Sequence, residues 1–175
     1  MTSEEIQQSI EQLNSLWKTS KYEEAKNFGF ELLEIQEIQD NAESLAKVYN
    51  ALGIVYKAFS DYPKALEHHI KSLQINEEIG NIVGTASNLG NIGSVYNNLS
   101  DYSKALEYYE RALQIDEEIG NKNGIARHLG SIGIVYQILS DYPKALEYLK
   151  KALQIFEEIG SKNSIAAILG NIGIV

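Results

Sequence analysis

The sequence predicts an all-α fold made of repeated antiparallel helix pairs, and three observations support that prediction. Similar residues recur every 40 positions, apolar residues within each repeat follow helical spacing, and turn-forming residues separate the helices at fixed places. Self-similarity at a fixed period of this length is typical of solenoid proteins, in which each unit buries its apolar face against the next. We therefore expect the 175-residue chain to be one repeat array and not an irregular domain.

Glycine, tyrosine and alanine carry the repeat most clearly. Residues 81–120 and 121–160 are identical at about two-thirds of their positions, far above what shared composition would give. The series that recur every 40 residues are Gly53, Gly93, Gly133 and Gly173; Gly80, Gly120 and Gly160; Tyr56, Tyr96 and Tyr136; and Ala25, Ala65, Ala105 and Ala145. The predicted organisation is a divergent first repeat at 1–40, repeats at 41–80, 81–120 and 121–160, and the first helix of a truncated repeat at 161–175.

Each repeat is predicted to contain two helices. In residues 82–99, Leu89, Gly93 and Tyr96 lie at positions i, i+4 and i+7, which is the spacing of one buried helix face. A second stripe of the same kind runs through residues 102–119 and consists of Tyr102, Ala105, Leu106, Tyr109, Ala112, Leu113 and Ile115. The small side chains in these stripes allow two helix backbones to approach closely, and the tyrosines fill the wider gaps.

Capping residues mark the predicted helix ends. Asp101 precedes the second helix of its repeat, where a carboxylate can accept hydrogen bonds from exposed backbone amides. Pro63 lies in the first turn of the equivalent helix, where a missing N–H costs little. Gly120 ends the second helix because glycine accepts a left-handed conformation, and Asn121 can then cap the next helix. Thr2 and Glu5 form a candidate capping box at the start of the chain.

The pattern Leu89, Gly93, Tyr96, Ala105, Tyr109 and Ala112 resembles the tetratricopeptide repeat, and so does Leu129, Gly133, Tyr136, Ala145, Leu149 and Ala152. The usual repeat has about 34 residues, so the longer unit found here is similar to the Pins/LGN and kinesin-light-chain type, which is also common in bacterial signalling proteins. The resemblance implies a right-handed α–α superhelix, a solenoid whose first helices line a concave groove. It also implies that the groove receives an extended peptide.

The face of the first helix opposite its apolar stripe is the candidate binding site. In residues 82–99 this helix carries no charged side chain, although exposed helix faces are usually rich in charge. The predicted groove residues are Lys47, Asn50, Ile54, Lys57, Ser87, Asn91, Ser94, Asn97, Asn98, Arg127, Ser131, Ile134, Gln137 and Asn171. Our hypothesis is that Asn91 and Asn171 bind the peptide backbone while Lys47 and Arg127 bind acidic side chains. The alternative is that these polar residues only solvate the helices.

Composition argues against several other functions. The net charge of −9 disfavours binding to nucleic acid or to anionic membranes, and we assign most of the acidic excess to the second helices. The chain contains no cysteine, so thiol chemistry and zinc–thiolate sites are excluded. We find no catalytic set, metal site or cofactor motif, and we predict a non-enzymatic protein. The acidic start, without a signal-peptide pattern, predicts a cytoplasmic location.

Histidine and tryptophan are interpreted mainly as structural residues. His68 and His69 are adjacent on one helix and point in different directions, which disfavours a shared metal. For His128 two readings stay open, a structural role and a ligand contact at the border of the groove. Trp17 is interpreted as a core residue of the first repeat.

Two further functions remain as alternatives to a peptide-binding scaffold. The chain could be the regulatory sensor of a larger signalling enzyme, such as a cyclase, histidine kinase or protease. It could also self-associate through residues 162–175, where we expect Leu169, Ile172 and Val175 to form an exposed apolar face. We favour the interpretation that this end is continued by further sequence.

Overall fold

The computed structural model describes residues 1–175 and consists of helices without any strand, which confirms the predicted all-α fold of helix pairs. The helices are α1 Ser3–Lys18, α2 Tyr22–Leu33, α3 Gln36–Gln39, α4 Ala42–Ala58, α5 Tyr62–Glu78, α6 Ile82–Asn98, α7 Tyr102–Glu118, α8 Lys122–Ile138, α9 Tyr142–Glu158 and α10 Lys162–Ile174. The short helix α3 was not predicted. None of the ten helices combines the length and the apolar character that crossing a lipid bilayer requires.

The chain forms two compact units, Met1–Val95 and Tyr96–Val175. In the first unit, α4 packs along α5 and also contacts α1, α2 and α3. Its core contains Leu13, Leu32, Ile38 and Leu52, all of them almost fully buried. This core is built by the stripes of small and large apolar residues that the sequence places on one side of each helix.

In the second unit, α8 packs along α9 and α7, and α10 packs against α9. Two clusters of buried side chains form its core, one around Ile132 and Val135 and the other around Leu149 and Phe156. The repeated spacing of the sequence pattern thus places equivalent side chains, such as Leu52 and Ile132, between helices in both units.

The predicted caps are confirmed. Asp101 Oδ1 accepts a hydrogen bond from the backbone N–H of Lys104 at 3.2 Å, and the Thr2–Glu5 capping box is present at the start of α1. Gly80, Gly120 and Gly160 all have φ of +70°, as expected for glycines that end helices. A second set of left-handed residues was not predicted, because it consists of the serines Ser20, Ser60, Ser100 and Ser140, with φ of 59° to 60°.

Glycine in the first helices is required by close packing. A Cβ atom built on Gly53 of α4 would lie 2.6 Å from the imidazole of His69 on α5. A Cβ atom on Gly133 of α8 would lie 2.8 Å from Leu149 on α9. The repeated glycine therefore makes room for one side chain of the partner helix, whereas the sequence predicted a close approach of the two backbones.

Helix α10 is less exposed than predicted. Ile172 and Val175 are half-buried against the cluster around Leu149 and Phe156, so the prediction that they form an exposed apolar face is wrong for these two residues. Leu169 is 50% exposed and Ile174 is 72% exposed, because they lie on the side of α10 that no helix of the second unit covers. Nothing lies within 4 Å of a Cβ built on Gly170 or Gly173.

Candidate functional site

Six of the predicted groove residues come together on one side of helices α4 and α6. They are Lys47, Asn50, Lys57, Ser87, Asn91 and Ser94, and we call this set the α4–α6 surface. Two hydrogen bonds tie its helices together. Asn91 Nδ2 donates to Asn50 Oδ1 at 2.9 Å, and Lys57 Nζ donates to Ser94 Oγ at 3.0 Å. The sequence placed these residues on one face, but it did not indicate that they bond to each other.

A cavity of about 270 Å³ opens beside this surface. Three predicted groove residues, Lys47, Asn50 and Ser87, line it. The remaining lining residues are Ala46, Ser72, Asn76, Asn81, Val83, Gly84 and Asn88. No acidic side chain is among them, and most of the polar groups are carboxamides or hydroxyls. The sequence analysis missed Ser72, Asn76 and Asn88, because none of them lies on the stripe of the first helices that was predicted to line the groove.

The carboxamides beside the cavity form a continuous chain of hydrogen bonds. Asn81 Nδ2 donates to Asn76 Oδ1 at 2.9 Å, and Asn76 Nδ2 donates to Asn88 Oδ1 at 2.7 Å. Asn88 Nδ2 then donates to Asn50 Oδ1 at 3.2 Å. We call these four residues, Asn81, Asn76, Asn88 and Asn50, the amide relay. Buried carboxamides need such partners, since an unpaired one costs free energy in a medium of low polarity.

Two lysines of the α4–α6 surface differ in their charge environment. Lys47 Nζ lies 2.6 Å from Glu43 Oε1, and this contact lowers the pKa of the Glu43 carboxyl. Lys57 has no carboxylate as a partner, and burial lowers the pKa of its ammonium group. Lys57, and not Lys47, is therefore the cation of this surface whose charge is uncompensated.

Ile54, the other predicted residue of the first unit, is half-buried on α4. In the second unit, Asn98 and Arg127 are exposed. Ser131 Oγ donates back to the carbonyl of Arg127 at 3.1 Å. Ile134 is half-buried against the core of its unit, which makes it a packing residue in part.

The remaining predicted residues of the second unit, Asn97, Gln137 and Asn171, are half-buried. The side-chain oxygen of Asn97 is buried without a hydrogen-bond partner. A ligand-binding role for the residues of this unit stays a prediction.

His128 lies inside the second unit and not at its surface. Its side chain is 2% exposed, and Nε2 lies 3.1 Å from Oδ2 of Asp116, whose side chain is 1% exposed. Burial and the neighbouring charge of Arg127 lower the pKa of His128, while Asp116 opposes this effect. Asp116 also accepts a hydrogen bond from Asn121 Nδ2 at 2.8 Å. This arrangement favours the structural reading of His128 over a ligand contact.

The other two histidines are also buried. The ring of His68 stacks on Tyr56 with centroids 5.2 Å apart. His69 is fully buried and neither of its nitrogens has a hydrogen-bond partner, and burial lowers its pKa to about 3. No three His, Asp or Glu side chains come together in a way that could hold a metal ion.

Trp17 packs against the core of the first unit, and its indole N–H donates to Asn14 Oδ1 at 3.0 Å.

Comparison with protein families gives a consistent match. The sequence profile described as tetratricopeptide repeat matches three overlapping stretches, residues 44–118, 83–158 and 124–175. Together these stretches cover most of the chain. A search of curated proteins finds no match for this sequence.

Solved structures share the fold at low sequence identity. The apo form of RapI superposes with a TM-score of 0.83 at 22% identity, over 94% of this chain and 60% of that protein. A Rap protein complexed with competence and sporulation factor gives a TM-score of 0.86 at 17% identity, over 95% of this chain and 47% of that protein. A signal transduction ATPase with a tetratricopeptide repeat sensor, from Pyrococcus horikoshii, superposes with a TM-score of 0.82 at 21% identity, over 95% of this chain and 26% of that protein. The chain thus spans between about a quarter and three-fifths of these proteins.

Proposed function

Because this chain belongs to the tetratricopeptide repeat family, we propose that it is a non-enzymatic protein-interaction scaffold whose α4–α6 surface binds an extended peptide segment of another protein. The observation that carries the proposal is the uncompensated hydrogen-bonding capacity of this surface. Asn50 Oδ1 accepts from two side chains, whereas Asn50 Nδ2 has no partner. Such N–H groups, next to a cavity, suit the carbonyl oxygens of a peptide backbone.

The charge of the surface supports a preference for acidic peptides. Lys57 is partly desolvated and pairs with a neutral hydroxyl, so a ligand carboxylate would gain a charge-assisted hydrogen bond there. Lys47 contributes less because Glu43 already neutralises it. The cavity of about 270 Å³ is large enough for one side chain of the peptide. We assign backbone binding to Asn50 and Asn91, and recognition of an acidic side chain to Lys57.

Selection from a displayed library of random peptides, followed by calorimetry, tests the proposal. The wild-type chain should select peptides with acidic residues, and Lys57→Met should weaken their binding at least tenfold. Lys150→Met is the matched control, because Lys150 is exposed on α9 outside this surface. Equal weakening in both variants, or no selectable peptide at all, would contradict the proposal.

A second candidate is the sensor region of a larger signalling protein. One structural neighbour is described as a signal transduction ATPase with a tetratricopeptide repeat sensor, and this chain covers 26% of it. In that case the same surface would bind the signal, and the response would come from another domain. Sequencing the gene beyond the codon for Val175 tests this candidate, since a catalytic domain in the same reading frame is the expected result. A stop codon there would contradict it.

A further inference from the structure

We propose that Asn81, Asn76 and Asn88 are positioning residues that fix the orientation of the Asn50 carboxamide, so that its NH2 group faces the binding surface. This orientation makes the surface selective for hydrogen-bond acceptors. The selectivity rests on the proposed peptide-binding function, whereas the orientation itself does not.

The orientation is set by a backbone group that can only donate. The N–H of Gly84, in the first turn of α6, donates to Asn81 Oδ1 at 3.1 Å. The oxygen of the Asn81 carboxamide must therefore point toward Gly84, and its NH2 group must point away. A Cβ on Gly84 would lie 2.6 Å from the side chains of both Asn76 and Asn81, so glycine is what allows the relay to lie so close to the start of α6.

Each carboxamide then fixes the next one. Because Asn81 presents its NH2 group to Asn76, the oxygen of Asn76 must face Asn81. For the same reason the oxygen of Asn88 faces Asn76, and the oxygen of Asn50 faces Asn88. Reversing one member would bring two NH2 groups or two oxygens together. Asn76 is 4% exposed and Asn88 is 1% exposed, so water cannot relieve such a clash.

The amide relay ends at Asn50, whose carboxamide oxygen accepts hydrogen bonds within the protein while its NH2 group remains unpaired. Asn50 Oδ1 receives hydrogen bonds from Asn88 and from Asn91, which lies on α6. Both hydrogens of Asn50 Nδ2 are consequently available to a ligand. The equivalent positions in the next two repeats are Gly90 and Gly130, so the sequence provides this surface group once.

Ser72 allows the relay to run in either direction. Its hydroxyl lies 2.7 Å from the carbonyl of Ala46 and 3.2 Å from Asn88 Oδ1. If Asn88 were reversed, the hydroxyl could donate to Ala46 and accept from Asn88. The direction is therefore determined by Asn81 and Asn76, and not by Ser72.

The variant Asn76→Asp tests the inference directly. Aspartate cannot donate, so it should reverse Asn88 and Asn50 in turn, and the NH2 group of Asn50 would then donate into the protein. Asp116 occupies the equivalent position in the next repeat, where it accepts from Asn121, so the fold accommodates a carboxylate there. Asn88→Asp is a second variant with the same expected result, because it also presents only acceptors to Asn50. Asn163→Asp, at an exposed position of α10, is the charge-matched control.

The readout is the exchange of the Asn50 side-chain NH2 protons with water, measured by NMR on the ligand-free chain. We expect at least threefold slower exchange in Asn76→Asp and Asn88→Asp than in the wild type and in Asn163→Asp. Simple destabilisation would make exchange faster, so the direction separates positioning from a purely structural role. Unchanged or faster exchange in both relay variants would overturn the inference.

Binding of the library-selected peptides tests the selectivity. Asn76→Asp should weaken their binding about tenfold, because an acceptor replaces a donor at the surface. Slower Asn50 exchange with unchanged affinity would overturn the selectivity and leave only the orientation. If the wild type binds no peptide, the proposed function fails, and the exchange measurement alone decides the orientation.

Discussion

Two equivalent pairs of residues, one in each unit, make a contact at the same place in the repeat but with different side chains. In the first unit, Asn76 on α5 donates to Asn88 on α6. In the second unit, Asp116 on α7 faces His128 on α8 at 3.1 Å. Both acceptors receive a hydrogen bond from the asparagine that caps the following helix, Asn81 at 2.9 Å and Asn121 at 2.8 Å. These two repeats therefore share the geometry of the contact and differ in the side chains that make it.

The amide pair and the acid–imidazole pair connect differently to the protein surface. The amide pair carries no charge and continues through Asn88 to Asn50 at the surface. For the acid–imidazole pair, Gly90 stands at the position that corresponds to Asn50, so this pair has no counterpart of that surface group. In the first unit the contact orients a surface group, whereas in the second unit the contact is buried and orients no such group. Four groups of substitutions test how the repeats differ, and their expected effects decrease from the glycines beside each pair to the left-handed serines.

The largest loss of stability is expected when the glycine beside each pair is replaced, Gly84 next to Asn76 and Gly124 next to Asp116. A Cβ on Gly124 would lie 1.9 Å from Asp116 Oδ2, so Gly124→Ala should lower the free energy of unfolding by about 2–4 kcal/mol. Gly84→Ala should cost less, because its nearest contacts are 2.6 Å away. Urea denaturation measures both. Gly170→Ala is the control, since nothing lies within 4 Å of it and alanine favours the helix. Equal losses at all three glycines would refute the steric argument.

His69 provides a second contrast, because the equivalent residues of the second unit are Tyr109 and Leu149. His69 is fully buried and both of its ring nitrogens lack partners, so His69→Leu should raise the free energy of unfolding by about 1–3 kcal/mol. Thermal and urea denaturation at neutral pH measure the gain. The reverse change, Leu149→His, should destabilise the protein. A loss of stability in His69→Leu would contradict this assignment.

Stability should depend on pH through the three buried histidines, and His128 of the second unit accounts for one part of this dependence. Burial lowers the pKa of His128 below its ordinary value of 6.5, so the unfolded chain binds the proton more readily than the folded chain. Stability should therefore fall as pH decreases below 6.5, toward the folded pKa. Replacing the pair by Asp116→Asn and His128→Asn, which copies the first unit, should make this slope shallower by about 1.4 kcal/mol per pH unit. An unchanged slope would show that His128 does not titrate in this window.

The smallest effect concerns the left-handed serines. Ser60 has φ of 59°, a region that glycine adopts without steric cost, so Ser60→Gly should stabilise the protein by about 0.5 kcal/mol. Ser103→Gly is the control, because Ser103 lies within α7 and glycine weakens a helix. Differential scanning calorimetry resolves the two changes. Destabilisation by Ser60→Gly would indicate that the serine side chain has a role of its own.

The helices were predictable because their signals are local. Asp101 and Gly120 act on backbone groups within a few residues, and their roles follow from residue type alone. The serine turns were missed because serine is not a residue that typically adopts positive φ. The exposure of α10 was misjudged for Ile172, since the sequence does not show which side of the last helix faces α9.

The candidate site was predictable only in part. Asn50 and Asn91 were placed on one face by periodicity, but their hydrogen bond joins residues 41 positions apart, which no local pattern indicates. Neutralisation of Lys47 by Glu43 could have been read from their i, i+4 spacing. The importance of Asn88 could not be predicted in this way, because its hydrogen-bond partners lie on two other helices.

We assign peptide recognition to the α4–α6 surface of the first unit. Chemical-shift mapping of a library-selected peptide on the isotopically labelled chain tests it most directly. We expect the largest shifts at Asn50, Lys57, Ser87 and Asn91, and we expect the side-chain NH2 signal of Asn50 to move with them. Shifts concentrated on the second helices α5, α7 and α9, with Asn50 unaffected, would contradict it.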